Sequence, residues 1–263
     1  MNRFVRVQAI GLIAVISSLS ACASTPGSSA EAIKDPWEKT NRSIYTFNRS
    51  LDKAIILPVT KVYRATVPVA AQRGVGSSLL NVKEPYSFVN ALLQGKIGQA
   101  FRIVDRFAIN TVLGVGGLAD HATDMGRPAE VEDIGQTLAV WGVKSGPYIM
   151  LPFYGPSTIR DGAAFVAERF VEPYRFAIGR ANLTTPEFIG LTGTEILDAR
   201  SFLIDTTDGL LNGSADEYAT VRSAYLQFRE SLIYDGNTPE EEVEPLPEFT
   251  ESIESASETA PQE

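Results

Sequence analysis

One histidine and its acidic neighbours are the first place to look for catalysis in this sequence. His121 follows Asp120 and lies close to Asp124, so a serine–histidine–aspartate hydrolase could be built around it with Ser145 or Ser157 as the nucleophile. Neither serine lies in a G-x-S-x-G nucleophile elbow. Because a single histidine beside acids on a loop is usually a surface residue, we predict that the chain is not an enzyme.

Metal and nucleotide sites are equally poorly supported. The chain has one cysteine and one histidine, and no EF-hand spacing of carboxylates is present. The glycine-rich segment 114–117 lacks the third glycine of a dinucleotide fingerprint because position 119 is Ala, and segment 73–78 lacks the lysine of a phosphate-binding loop. We therefore expect no metal and no cofactor.

The chemistry of the single cysteine, Cys22, is indicated by its position directly after residues 1–21. Residues 1–21 have the basic start, apolar centre and small-residue end of an export signal. The segment Leu19-Ser20-Ala21-Cys22 then has the form of a bacterial lipobox, in which the thiol of Cys22 takes a diacylglycerol and the new amino terminus is acylated. An ordinary secretory signal with a chance cysteine is the alternative. Because Ala23 rather than aspartate follows, we expect a lipid-anchored protein of the outer membrane that faces the periplasm.

The net charge of −9 is concentrated at the carboxyl end. Residues 235–263 contain ten acidic residues and no Lys or Arg, whereas residues 22–234 carry 22 acids and 21 bases. Such a tail cannot bury enough apolar surface to fold, and the body is not basic enough for nucleic acid. We predict a signal peptide over 1–21, a lipidated cysteine and tether over 22–34, one domain over 35–236, and a disordered acidic tail over 237–263.

Apolar periodicity predicts helices as the elements of that domain. Spacings of three and four residues favour helices over 35–57, 100–113, 162–176, 195–203 and 216–233. The apolar pieces 137–141 and 148–154 could be short strands or helix ends. Since helices outnumber plausible strands, the fold class is predicted as all-α, with kinks at Pro58, Pro85 and Pro173.

The loop from Gly142 through Val143, Lys144 and Ser145 to Gly146 joins those two apolar pieces. Glycine permits backbone conformations that other residues resist, so a loop with a glycine at each end could swing. We interpret it as a candidate gating loop, and a fixed turn is the alternative.

Short motifs along the body resemble the MlaA (VacJ) lipoproteins of Gram-negative bacteria. The resemblance covers residues 35–236, with departures at Ser77-Ser78, Lys144 and Phe228. The motifs are Asp35-Pro36-Trp37-Glu38, Asn41-Arg42, Phe47-Asn48, Asn81, Glu84-Pro85, Asn90, Leu93-Gln94-Gly95, Arg106-Phe107, Asn110-Thr111, Leu113-Gly114, Gly116-Gly117-Leu118, Gly135-Gln136-Thr137-Leu138, Trp141-Gly142-Val143, Gly146-Pro147-Tyr148, Leu151-Pro152, Gly155-Pro156-Ser157, Arg160-Asp161, Asp216, Tyr218, Arg222, Tyr225, Gln227, Arg229 and Asp235-Gly236.

The resemblance implies a ring-shaped single domain of short amphipathic helices in the inner leaflet of the outer membrane. It also implies a trimeric outer-membrane porin as partner, and a central amphipathic channel that takes mislocalised phospholipids from the outer leaflet. The phospholipids then pass to a soluble periplasmic lipid carrier without a catalytic step. A structural or envelope-assembly lipoprotein and a periplasmic lipid hydrolase are the alternatives. We interpret eight motif residues as structural: Asn41, Asn48, Asn81, Gly116, Gly117, Pro147, Arg160 and Asp161.

Overall fold

The computed structural model describes residues 33–171 and 186–237. The predicted signal peptide, Cys22, most of the tether, Pro173 and the acidic tail lie outside the described residues. The elements in chain order are α1 Glu38–Leu51, a π-helical turn Asp52–Ile56, α2 Leu57–Thr66, α3 Val69–Leu93, α4 Ile97–Val112, α5 His121–Asp124, α6 Ile134–Val140, β1 Tyr148–Leu151, β2 Gly155–Thr158, α7 Ile159–Val171, α8 Pro186–Asn212 and α9 Glu217–Ile233.

The predicted helical fold class is confirmed, with one small β-hairpin added to it. Of the two apolar pieces left open by the sequence, 137–141 ends helix α6 and 148–154 forms strand β1 and its turn. Strand β1 pairs antiparallel with β2, from Tyr148 opposite Thr158 to Leu151 opposite Gly155. No helix in the described part of the chain is both long enough and apolar enough to cross a bilayer.

Pro58 does not end the first helical run, which continues from α1 through the π-helical turn into α2. Proline lacks the N–H that would bond the carbonyl four residues earlier, and its ring crowds that carbonyl. Here the wider turn comes just before the proline, and the N–H of Leu57 bonds the carbonyl of Asp52, five residues back. At Pro58 the helical run therefore continues through a local change of helical register.

Helix α3 extends over 25 residues, although the sequence predicts no helix there, and it contains Pro85 in its interior. It packs along α4, and Ala91, Ala100 and Ile103 form a small apolar cluster between the two helices. A second cluster lies beneath the hairpin and joins β1 to α9 through Tyr148, Met150, Tyr218 and Leu226. Within residues 33–171 and 186–237, the apolar clusters are small, and many of the buried side chains are polar or charged.

Candidate functional site

Helix α4 exposes several large apolar side chains, while its buried face carries the polar Arg106 and Asn110 beside Ala100 and Ile103. Phe101 is 70% exposed and Val112 is 76% exposed, and Ile97 and Val104 lie on the same outward face at helical spacing. Arg106 on the opposite face is only 2% exposed. Water-soluble domains rarely expose a large contiguous apolar patch, so this face is suited to a membrane or a partner.

Helix α3 contributes a row of polar side chains to the interior. Asn81, Glu84, Ser87 and Asn90 recur every three residues and are all buried. Asn81 donates to the Thr111 hydroxyl at 3.1 Å and also lies against Gly117. Farther along the row, the hydroxyl of Ser87 accepts the backbone N–H of Glu132, and the Asn90 carbonyl oxygen accepts the hydroxyl of Thr137. The helices are thus joined largely by hydrogen bonds.

Arg106 is the centre of the charged part of this interior. Its guanidinium donates to Glu84 at 2.5 Å, to Asp120 at 2.6 Å, to the hydroxyl of Thr123 at 2.8 Å and to the carbonyl of Arg127 at 2.6 Å. Burial raises the pKa of the Glu84 carboxyl to about 7 even though Arg106 opposes that shift. A single arginine therefore joins α3 and α4 to the segment around the short helix α5.

The residues considered above as a hydrolase triad make other contacts in the structure. Asp120 accepts from Arg106 and Asn110 and caps helix α5 through the N–H of Thr123. His121 lies at the start of that helix with its Nδ1 atom 3.9 Å from Asp124. The hydroxyl of Ser157 is buried and donates to the carbonyl of Thr158.

Two motif asparagines hold the outer edge of the hairpin. The Asn41 side chain donates to the carbonyl of Tyr148 at 3.2 Å and accepts the N–H of Met150 at 2.9 Å. Two turns along α1, Asn48 donates to the carbonyl of Leu151 at 2.9 Å and accepts the N–H of Phe153 at 2.8 Å. Each amide thus makes the paired contacts that a neighbouring strand would make, and α1 closes the free edge of β1.

Replacing Asn41 with Ala should lower the free energy of unfolding by about 2–3 kcal/mol, because two backbone groups in a buried position lose their partners. Ser43→Ala on the exposed side of the same helix is the matched control, and we expect a change within about 0.5 kcal/mol. Chemical unfolding followed by circular dichroism in detergent measures both. Equal effects would show that the amide does not hold the hairpin.

The candidate gating loop lies between α6 and β1, and its glycines have positive φ angles of 87° at Gly142 and 68° at Gly146. A Cβ at Gly142 would meet open space, whereas one at Gly146 would lie 3.1 Å from the Cβ of Ile159. These conformations explain both glycines without motion, since L side chains avoid them. Alanine substitution would therefore strain a fixed turn as much as a gate.

The remaining motif residues surround that loop or the turn after α4. The carbonyl of Pro147 accepts the N–H of Ile159 at 3.1 Å. Arg160 and Asp161, both 8% exposed, lie in the first turn of α7 and pair with each other at 3.0 Å. Gly116 and Gly117, with φ of 71° and 93°, form the turn after α4. The structural roles assigned to these residues stay predictions.

Comparison with known proteins decides the family. The profile of the MlaA lipoprotein family matches residues 33–232 of the chain. The chain belongs to the MlaA lipoprotein family. An "Intermembrane phospholipid transport system lipoprotein MlaA" from Escherichia coli K12 is 39% identical over 223 residues, which are 83% of this chain and 85% of that protein. The protein of the same name from Haemophilus influenzae is 32% identical over 219 residues, covering 81% and 84%.

A solved structure resembles the fold described above. It is described as "Structural basis for maintenance of bacterial outer membrane lipid asymmetry", has 36% sequence identity and a TM-score of 0.66, and covers 76% of this chain and 99% of that chain. The predicted family is therefore confirmed by sequence and by structure.

Sequence reasoning missed the buried charges as a group. The sequence indicated Arg106 and Arg229 only as parts of family motifs, and no sequence pattern indicated Asp133. The signal that could have indicated the polar interior is the three-residue repeat Asn81, Glu84, Ser87 and Asn90, which places polar side chains in a stripe that winds slowly around a helix. Apolar periodicity did not indicate that large apolar side chains such as Phe101 and Val112 point outwards.

Proposed function

We propose that this chain removes mislocalised phospholipids from the outer leaflet of the outer membrane and thereby maintains lipid asymmetry. Family membership and the names of the relatives support this function. The observation that carries it is the apolar outward face of helix α4, where Phe101 and Val112 are exposed while Arg106 is buried on the opposite side. Apolar side chains outside and paired polar side chains inside suit a protein surrounded by acyl chains.

The proposal includes a location and a route for the lipid. Lipid on Cys22 anchors the protein at the periplasmic face of the outer membrane, and the domain 35–236 lies as a ring in the inner leaflet. A trimeric porin is its membrane partner, and a soluble periplasmic carrier receives the phospholipid. Transfer through an amphipathic channel requires movement without bond cleavage, so no catalytic residue is assigned.

The gating function of the loop 142–146 belongs to the same proposal. The loop joins α6 to the hairpin, and the side chain of Lys144 within it is exposed. A loop fixed at both ends by ordered elements can change conformation without unfolding its neighbours. Movement of this loop would open and close the route for lipid.

Deletion of the gene in its own bacterium tests the proposed function. We expect outer-leaflet phospholipid to rise, as measured by the extra acylation of lipid A that such phospholipid provokes. Wild-type protein should restore the original level, whereas Cys22→Ala should not, because it lacks the anchor. If deletion leaves lipid A acylation unchanged, the transport function is refuted and a structural role in the envelope takes its place.

A further inference from the structure

We propose that Arg160 is a positioning residue that latches the gating loop in the conformation seen here. The inference rests on the proposed gating function. Arg160 bonds the loop twice: its backbone N–H donates to the carbonyl of Ser145 at 3.0 Å, and its Nη1 donates to the carbonyl of Val143 at 3.3 Å. Both bonds hold loop backbone, so the latch does not depend on the loop side chains.

The Arg160 side chain is itself held by a series of buried charges. Its Nε atom donates to Asp161 at 3.0 Å, and the same carboxylate oxygen accepts from Arg229 on α9 at 3.1 Å. Arg229 also forms a two-bond pair with Asp133, at 2.6 and 3.2 Å. Asp133 caps the start of α6, the helix that leads directly into the loop. The loop is therefore connected through its latch to α7, α9 and the far end of α6.

The electrostatics of Asp161 favour a fixed guanidinium beside it. Burial alone would raise the pKa of its carboxyl, but Arg229 and Arg160 together outweigh burial and hold the pKa below its ordinary value. The carboxylate is therefore charged at neutral pH and attracts Arg160 strongly in a site with little water. Its second oxygen accepts the hydroxyl of Tyr225 at 3.0 Å, so Asp161 keeps partners when Arg160 is removed.

The close approach of helix α6 to these charges requires glycine at position 135. A Cβ there would lie 2.6 Å from an Asp161 oxygen and 2.7 Å from the Nη2 atom of Arg229. Both distances are shorter than any normal contact, so the charges could not keep this arrangement beside a larger residue. The helix before the loop and the charges behind the latch are thus packed directly against each other.

Arg160 binds the carboxylate of Asp161 more strongly than it binds the loop. Towards the domain, the Arg160 guanidinium is paired with a buried carboxylate that has two further partners. Towards the loop, Arg160 makes two bonds, one from the guanidinium and one from its backbone N–H, and both acceptors are neutral carbonyls. Charge-assisted bonds are stronger than bonds to neutral acceptors, so the loop separates from Arg160 before Arg160 leaves Asp161. This arrangement allows the loop to open while the network stays intact.

A spin label on the loop tests the latch directly. Lys144→Cys provides a labelling thiol, since Cys22 is the only native cysteine and carries lipid in the anchored protein. In full-length lipoprotein reconstituted into phospholipid nanodiscs, the label should give an immobilised spectrum. Arg160→Met removes the bond to Val143 and leaves the backbone bond to Ser145, so adding it should replace part of that signal with a mobile component. Arg160→Lys, which keeps the charge but loses the planar fork of donors, should show the same change if the methionine variant does not fold.

Tyr225→Phe is the matched control, because it removes a partner of Asp161 without touching the loop. We expect its label spectrum to stay immobilised. An immobilised spectrum in both folded Arg160 variants would overturn the latch. Lipid A acylation in cells that express the same variants separates the two proposals: a mobile label with altered acylation supports latch and gate together. A mobile label with normal acylation supports the latch and refutes the gating function of the loop.

Discussion

Arg106→Met lowers the free energy of unfolding by about 3–5 kcal/mol, because it leaves the buried carboxylate of Glu84 without its cation and removes the main cation from Asp120. The matched control is Arg102→Met on the same helix. Arg102 pairs with Glu130, but its side chain is 62% exposed, and exposed pairs contribute at most about 1 kcal/mol. Both substitutions remove one arginine and its charge, so burial is the difference that the comparison measures.

The loss caused by Arg106→Met depends on pH in a predictable direction. The folded-state pKa of Glu84 is raised to about 7 by burial even with Arg106 present, and removing the arginine raises it further. A group with a raised folded-state pKa contributes stability below its unfolded pKa and loses it as the pH rises. The variant should therefore be less impaired at pH 5 than at pH 8.

Chemical unfolding in detergent at both pH values measures these effects. Equal losses for Arg106→Met and Arg102→Met would contradict the central role of the buried arginine in joining α3, α4 and the segment around α5. A loss that is the same at pH 5 and pH 8 would contradict the assigned role of the Glu84 carboxyl.

The double variant Phe101→Glu, Val112→Glu should fold normally in detergent yet fail to restore lipid asymmetry in the deletion strain. Both side chains point outwards, so the interior is unaffected. In a bilayer, each carboxylate costs about 2.5–3.5 kcal/mol near the centre and less towards the headgroups. The cost therefore arises only where acyl chains surround the outward face of α4.

Arg102→Glu is the control for this experiment, since it gives the same change in net charge at an exposed polar position of the same helix. We expect it to restore lipid A acylation to the wild-type level. Unfolding of the double variant in detergent would indicate that the apolar face packs against protein. Full rescue by the double variant would show that this face does not contact the hydrocarbon of the membrane.

The sequence by itself determined the class of the fold and the family. Apolar residues at spacings of three and four indicated helices at 100–113 and 216–233, and the structure has helices over 97–112 and 217–233. Periodicity depends only on local geometry, so it can be read without knowing what a helix packs against. The order of short motifs indicated the MlaA family, which comparison confirmed.

Helix α3 shows where local signals were insufficient. Its interior contains Pro85 and two glycines, and its buried face carries Asn81 and Glu84, so neither propensity nor apolar periodicity predicted a helix of 25 residues. Tertiary contacts overcome these weak preferences, because each polar side chain of the buried face finds a partner on a neighbouring element. Such partners lie far away in sequence and leave no local signal.

Only the tertiary structure decided which face of each helix points inwards. The sequence pattern of α4 shows which residues share a face, but it does not show whether that face points into the protein or away from it. The bonds from Arg106 to Glu84 and Asp120 turn the face of Arg106 inwards, because a buried arginine requires its carboxylates beside it. In the same way, the glycines of the sequence indicated the candidate gating loop, but the proposed latch at Arg160 depends on residues of four separate segments that only folding brings together.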